Sequence, residues 1–408
     1  MRAVVALLRA EPRARWFFGA LAQSSIGTGA AYVGLLLIAY ESYRSPWAIS
    51  LILLADFMPS MFFGTVLGAA ADRWSRRWCA VAADVIRAVA FVGIGLFDGF
   101  GTTLGFALAA GFGTALFKPA ALAGLPALVA PERVTAATSL YSAAANLSWA
   151  VGPAIAALTL LIASPQEVML VNGMTFAVSG LILTRLPLDK APSAKEEVKQ
   201  TSLLREALRG GRAVAGIVDV RIVIVATTAA MFFGGVFNVG ELLFASNALG
   251  VGQSGYSILV ALYGFGFLAG SLAGSSGGET FRLRRRYVQG LALTGLGSLS
   301  TAVAPTLLIA LATFALGGFG NGLFAVYERL LFQRQVPEEM HGRAFALEDT
   351  MVSWSIAAAF LLAGAAATML GARGLMLATG TGELVVAVLA FLALRSGMAL
   401  PNRRLAAK

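Results

Sequence analysis

The run Gly64-Thr65-Val66-Leu67-Gly68-Ala69-Ala70-Ala71-Asp72-Arg73-Trp74-Ser75-Arg76-Arg77 decides how the rest of the chain is read. Its first half is apolar, with Gly64, Gly68 and Ala71 about one helical turn apart. Small residues at that spacing let a neighbouring helix come close. Its second half holds one acid and three arginines within six positions, Asp72 to Arg77. An apolar helix that ends in a tight basic turn is the pattern of a membrane span reaching the cytoplasmic surface.

The composition around this stretch agrees. Of 408 residues, 58% are hydrophobic and 13% charged, and the mean hydropathy is +0.78. Soluble domains carry roughly a quarter charged residues, so this is an integral membrane protein. Cys79 and His341 are the sole cysteine and histidine, which argues against a disulfide framework, a Cys/His zinc site and a Cys–His nucleophile pair. The net charge of +10 comes from basic residues at the ends of apolar runs. They serve topology and anionic lipid, and nucleic acid is not an expected partner. No Gly-x-x-x-x-Gly-Lys-Ser/Thr loop exists to hold a nucleotide. With no Ser/His/Asp set, metal cluster or cofactor motif, the chain reads as a non-enzyme without cofactors. No small-residue cleavage pattern follows the first residues, so the first span serves as the insertion signal.

A span needs about 20 mostly apolar residues. Twelve runs qualify, at roughly 16–40, 46–71, 79–98, 102–129, 135–163, 167–186, 219–246, 254–276, 287–303, 305–333, 344–370 and 374–395. With the N-terminus inside, the outer segments hold only Arg44 and Arg373, and the other loop and terminal basic residues fall inside. That asymmetry places both termini in the cytoplasm. The one long polar stretch is 187–218, and its Ser202–Arg212 portion reads as a basic amphipathic segment on the inner surface. The expected organisation is an N-terminal six-helix bundle (1–186), a cytoplasmic linker (187–218) and a C-terminal six-helix bundle (219–408).

An internal repeat supports two halves. Gly64, Gly68 and Arg76 recur 206 positions on as Gly270, Gly274 and Arg282. Phe112-Gly113-Thr114-Ala115-Leu116-Phe117 recurs as Phe319-Gly320-Asn321-Gly322-Leu323-Phe324, and Pro131-Glu132 as Pro337-Glu338. An even number of spans per half makes the repeats parallel, with a binding site between them near the midplane. The second copy lacks an acid at the Asp72 position, where Gly278 stands beside Glu279.

Gly68-Ala69-Ala70-Ala71-Asp72-Arg73-Trp74-Ser75-Arg76-Arg77 resembles the loop 2–3 motif of the major facilitator superfamily, Gly-x-x-x-Asp-Arg-x-Gly-Arg-Arg. Ser75 departs at the third glycine, which loosens the expected turn. Phe117-Lys118-Pro119-Ala120, Leu125-Pro126, Leu140-Tyr141-Ser142 and Gly152-Pro153 are similar to the drug, macrolide and siderophore exporter branch. Gly152-Pro153 matches the core of that branch's antiporter signature, although Ala156 and Ala157 replace its last glycines. The resemblance implies an all-α polytopic membrane protein with twelve transmembrane helices in two pseudo-symmetric six-helix bundles. It implies a secondary active exporter of small amphipathic molecules in a bacterial cytoplasmic membrane. It also implies alternating access driven by a proton gradient (antiport), and a monomer in the bilayer. A lipid or lysolipid flippase of the same fold and a non-transporting scaffold are the competing readings.

The gate residues expected on this basis are Gly68, Asp72, Arg73, Arg76, Arg77, Asp84, Arg87, Gly152 and Pro153. Asp72 would meet backbone N–H groups at the start of span eleven, near Arg343 to Leu347. The arginines would pair with Glu132, Asp84, Glu338 or Glu339. Asp84 and Arg87, three apart on one helical face, can pair with each other. Ionisable residues deep in a span are costly and point to function, so Asp56, Glu241 and Glu328 are the proton-coupling candidates. Asp56 leads because no basic residue adjoins it, Glu241 comes second and alternatively forms a solvated outer rim, and Glu328 beside Arg329 reads rather as part of the inner gate. Glu383 is a further deep charge without an assigned role, and Lys118 is the deep cation that a head-group site would use in the flippase reading. The substrate-binding candidates are Asn146, Trp149, Asn172, Phe233, Asn238, Tyr263 and Asn321. The polar ones serve equally well as links between helices.

Overall fold

In lipid a backbone must satisfy its own N–H and C=O groups, so long apolar runs become helices. The computed structural model describes residues 7–189, 216–274, 279–337 and 340–398. Within the helices the side chains of Thr65, Ala69 to Asp72, Asn146, Leu147, Trp149, Gly342, Arg343, Ala346 and 396–398 lie outside the description. Ser202–Arg212 and most of the expected linker also lie outside it.

The first six helices are α1 (Pro12–Tyr43), α2 (Pro46–Arg73), α3 (Arg76–Leu96), α4 (Phe100–Gly124), α5 (Val134–Thr159) and α6 (Pro165–Thr184). The next four are α7 (Val218–Leu243), α8 (Gln253–Ala273), α9 (Thr280–Ala302) and α10 (Leu307–Gln335). His341–Met398 is continuous in hydrogen bonding but breaks at Gly371 (φ 67°, ψ 178°). The break separates α11 (341–370) from α12 (372–398), giving twelve long helices among the described residues. Among the described residues nine segments are long and apolar enough to cross a membrane, and Leu347–Arg395 is one of them. Val134–Thr159 and Thr280–Ala302 are not among the nine.

Local signals explain the boundaries. Pro12 opens α1, where its missing N–H is no loss. Ser164 and Glu167 form a reciprocal capping box at the start of α6. Ser75 accepts from the Trp78 N–H and caps α3 with φ −59°. That conformation needs no glycine, so the departure from the motif at Ser75 does not loosen the turn.

The described chain groups into two compact units. The first is Met1–Lys195 with Gly252–Ala261, and the second is Glu196–Val251 with Leu262–Lys408. The first ten residues or so of α8 therefore associate with the N-terminal helices. There Gln253 donates to both carboxylate oxygens of Glu41, at 2.8 and 3.0 Å. In the first unit α1, α3, α4 and α6 share a core that includes Phe17, Ala80, Phe117 and Leu183. In the second, Val223, Tyr287, Phe324 and Leu394 join α7, α9, α10 and α12.

The small-residue ladder behaves differently in the two units. A Cβ at Gly64 would meet nothing within 4 Å, and one at Gly68 only Pro119 at 3.8 Å. The close approach expected there is absent. At Gly270, the counterpart of Gly64, a Cβ would stand 2.0 Å from the Phe319 carbonyl oxygen. The spacing is repeated, but among the described residues the close backbone approach is seen at Gly270 and not at Gly64 or Gly68.

Candidate functional site

The turn between α2 and α3 is pinned from behind. Ser75 Oγ donates to Asp189 Oδ2 at 2.8 Å, and the Arg77 N–H donates to Asp189 Oδ1 at 3.2 Å. Arg77 Nε lies 3.8 Å from the same carboxylate. Arg76 Nη1 donates to the Ala123 carbonyl at 3.1 Å, tying the turn to the end of α4. Arg73 is exposed. Among the described residues Arg77 meets Asp189 and Arg76 a backbone carbonyl, rather than the expected Glu132 or Asp84, while Glu338 and Glu339 lie outside the description. Asp189 sits just past α6, in the stretch read as linker, and no local pattern ties it to the turn. The side chains of Asp72 and Arg343 lie outside the described residues, as does Glu338, so the expected Asp72 latch has no observation. Glu11, not a residue of the turn, accepts from Arg133 Nη1 at 2.9 Å.

Asp84 and Arg87 form the expected pair on α3, with side-chain exposures of 0% and 9%. The guanidinium lies between the rings of Phe117 and Phe176, 4.2 Å from each centroid. Asp84 Oδ2 and Arg87 Nε make no hydrogen bond among the described residues. The pair is sealed in the core of the first unit.

Gly152 and Pro153 mark where α5 crosses α1. A Cβ at Gly152 would stand 2.5 Å from Gly29 Cα, so only a glycine allows the two backbones to meet. Pro153 lies inside α5 and removes a backbone donor one residue further on. Asn172 is buried on α6, and its Oδ1 stands where a Cβ on Gly27 would be, at 2.4 Å. It accepts from Thr175 Oγ1 at 3.2 Å, and its Nδ2 is unpartnered among the described residues. Asn172 therefore sits in helix packing rather than in an open cleft. The side chains of Asn146 and Trp149 lie outside the described residues.

Asp56 is half-buried on α2, and its backbone carbonyl faces Gly111 of α4. Glu241 is 4% exposed near the end of α7. It is not a solvated rim.

The second unit contains a polar cluster built from four helices. The Thr227 hydroxyl of α7 donates to Glu328 of α10. Thr227 and the Tyr287 hydroxyl of α9 are 3.1 Å apart, and Tyr287 donates to the Val223 carbonyl at 3.2 Å. Glu348 of α11 lies within hydrogen-bonding reach of Glu328. Thr227, Tyr287 and Glu328 are all buried. Glu348, Thr227 and Tyr287 carried no signal in the sequence, because each is an ordinary residue until the fold brings it to Glu328.

A second polar group lies along α7, α8, α9, α10 and α12. Asn321 Nδ2 donates to the Tyr263 hydroxyl at 2.8 Å. Phe237 and Phe314 flank the Tyr263 ring, at 5.5 and 6.5 Å between centroids. Glu241 and Glu383 act on the Tyr263 hydroxyl electrostatically, and Glu383 Oε2 accepts from Ser298 at 2.8 Å. Tyr263 and Asn321 are thus brought together, with Phe237, Phe314, Ser298 and Glu383 as members the sequence reading did not assign. Asn238 is half-buried one turn before Glu241. Phe233 packs where a Cβ on Gly382 would be, at 2.1 Å, and stacks edge-on with Phe232. It belongs to the α7–α12 contact.

Twelve helices in this order define a polytopic membrane transporter fold of the major facilitator type. A bacterial homologue of the lysosomal transporter Spinster has the same fold, with a TM-score of 0.73 and 16% identity over 94% of this chain and 98% of the other. The nucleoside transporter NupG gives 0.74 with 13% identity, over 93% and 99%. The chain belongs to the transmembrane secretion effector family, whose model matches residues 6–403. It is 26% identical over 358 residues to the putative bacilysin exporter BacE of Bacillus subtilis, covering 86% of this chain and 88% of that protein. It is 24% identical over 357 residues to the multidrug efflux pump Tap of Mycobacterium bovis, covering 84% of each. These relatives are membrane transporters, not enzymes.

Proposed function

We propose that this protein exports a small amphipathic molecule, of the drug, macrolide or siderophore class, in exchange for protons by alternating access. It does so as a monomer in a bacterial cytoplasmic membrane, with both termini inside. The moving halves are the bundles 1–186 and 219–408, joined by the linker 187–218. The names of the exporters BacE and Tap support the direction of transport.

The observation that carries proton coupling is a count of hydrogens around Glu328. Four contacts join Glu348, Glu328, Thr227, Tyr287 and the Val223 carbonyl. The two hydroxyl groups can supply only two hydrogens, because each has one O–H. Two carboxyl groups in contact also repel when both are ionised. Adding a proton to the carboxyl pair fills one of the two missing contacts and relieves the repulsion, and losing it reverses both. Four helices meet at this cluster, so its protonation acts on how α7, α9, α10 and α11 pack. That is the bistable element a coupled transporter needs.

Tyr263 and Asn321, both half-buried, supply a hydrogen-bonding face for substrate, backed by the buried rings of Phe237 and Phe314. Such a face suits an amphiphile with a donor. The turn at Asp72 to Arg77 and the α1–α5 crossing at Gly152 act as gate elements. Purified protein in proteoliposomes, loaded with a pH-sensitive dye and offered macrolides, cationic dyes, siderophores and lysolipids in turn, tests the reading. Export substrates should each release protons in the opposite direction. Substrate flux that is independent of pH, with no proton movement for any of them, refutes it.

A further inference from the structure

A cavity of about 450 Å³ lies in the second unit, lined mainly by α9 and α10 and closed at one side by the end of α8. Its walls include Arg286, Gln289, Leu293, Phe319, Leu323 and Tyr327. The register of the two helices orders these residues along the cavity. Gly290 packs on Phe324 and Gly297 on Gly317, so the helices run antiparallel and residue numbers fall on one as they rise on the other. Arg286 and Gln289 therefore share one end with Tyr327, and Leu293 shares the other with Phe319. The seven helical steps from Arg286 to Leu293 span about 10 Å at 1.5 Å each.

Among the described residues the polar end has an unpaired positive charge. Arg284, two residues earlier, is paired with Asp219, and Arg282 lies over the Phe281 ring. Arg286 meets Gln289 Oε1 at 3.5 Å, and no carboxylate pairs with it among the described residues. Arg285 and Arg286 are both exposed, so this end of α9 is the arginine-rich surface that anionic membranes attract.

We propose that this cavity binds one anionic phospholipid as a resident ligand. Its phosphate sits on Arg286 and Gln289, and an acyl chain runs past Leu323 toward Leu293 and Phe319. A cation at one end and a continuous apolar wall at the other fit a charged headgroup with a chain. A free phosphate would leave the apolar end empty, and an uncharged lipid would leave Arg286 without a counter-ion. The lipid wedges α9 against α10 and is not cargo.

The test uses the full-length protein in dodecyl maltoside, with added phosphatidylglycerol or phosphatidylcholine. Thermal unfolding is followed by tryptophan fluorescence, and bound lipid is counted by native mass spectrometry. Phosphatidylglycerol should raise the unfolding temperature of the wild type several degrees more than phosphatidylcholine does. Arg286→Gln should lose most of that difference and one tightly held lipid, while Arg285→Gln keeps both. Ala292→Leu, which fills the cavity and leaves the charge, should also lose the bound lipid. Equal losses in Arg286→Gln and Arg285→Gln would mean diffuse surface attraction and overturn the proposal. So would full lipid retention in Ala292→Leu. Should Ala292→Leu fail to fold, the lipid count on the two arginine variants decides the matter alone.

Discussion

Replacing Asp84 by alanine isolates the energetics of a buried charge in the first unit. The side chains of Asp84 and Arg87 are 0% and 9% exposed, so solvent screens neither. Removing one partner of such a pair leaves an uncompensated charge and costs about 3–5 kcal/mol. The rings of Phe117 and Phe176 flank the guanidinium at 4.2 Å before and after the change, so their attraction cancels in the difference. A midpoint of about 4 kcal/mol is nearly a thousandfold in the unfolding equilibrium, at 1.4 kcal/mol per decade. Asp84→Ala/Arg87→Met removes both charges and keeps an apolar chain between the rings. Apolar replacement of a buried pair is often neutral, so the double variant should recover to within about 1 kcal/mol of the wild type. Equilibrium unfolding in mixed micelles with increasing dodecyl sulfate, read by tryptophan fluorescence, measures all three proteins. A double variant as unstable as Asp84→Ala would refute the reasoning, because the orphaned guanidinium would then not be the cause.

Three further perturbations address other parts of the fold. Gly152→Val puts a Cβ 2.5 Å from Gly29 Cα and must part α1 from α5. A loss of about 1–3 kcal/mol is expected in the same unfolding assay, whereas Gly101→Ala, with nothing within 4 Å, should be neutral. Asp189→Ala frees Ser75 and Arg77, and because the ion pair is half-exposed its effect on global stability should stay below about 1 kcal/mol. Its local effect should appear as faster hydrogen exchange at the Arg77 amide, and unchanged exchange there would discount the tether. Arg373 Nη1 donates to the carbonyls of Ala302 and Ala304 at 2.7 and 3.1 Å, capping the end of α9. Arg373→Ala should cost about 1–2 kcal/mol, and Arg373→Lys should restore part of it.

Hydropathy carried most of the helix pattern, because lipid permits little else than helix for a long apolar run. Its largest boundary error is at α9, read from 287 but helical from Thr280. Arg282, Arg284, Arg285 and Arg286 looked like loop, yet arginine is a good helix former and its long chain can reach out to the membrane surface. Asp84 and Arg87 were legible because their pairing is set by helical spacing alone. The pairing of Ser75 and Arg77 with Asp189 was not, since it joins residues more than a hundred positions apart. The ladder at Gly64 and Gly68 shows a third limit: spacing finds a small-residue face but cannot say whether a neighbour uses it. The Glu328 cluster was half legible. A carboxylate deep in a span stands out, while its partners Thr227, Tyr287 and Glu348 come from three other helices.

The central claim is that the Glu328 cluster carries the coupling proton. In proteoliposomes holding one identified substrate, an imposed pH difference should drive wild-type accumulation against the substrate gradient. Glu328→Gln keeps the shape and hydrogen-bonding capacity but holds no titrating proton. It should still exchange substrate down its own gradient and should lose accumulation driven by the pH difference. Accumulation by Glu328→Gln at the wild-type level, under the same pH difference, would contradict the account.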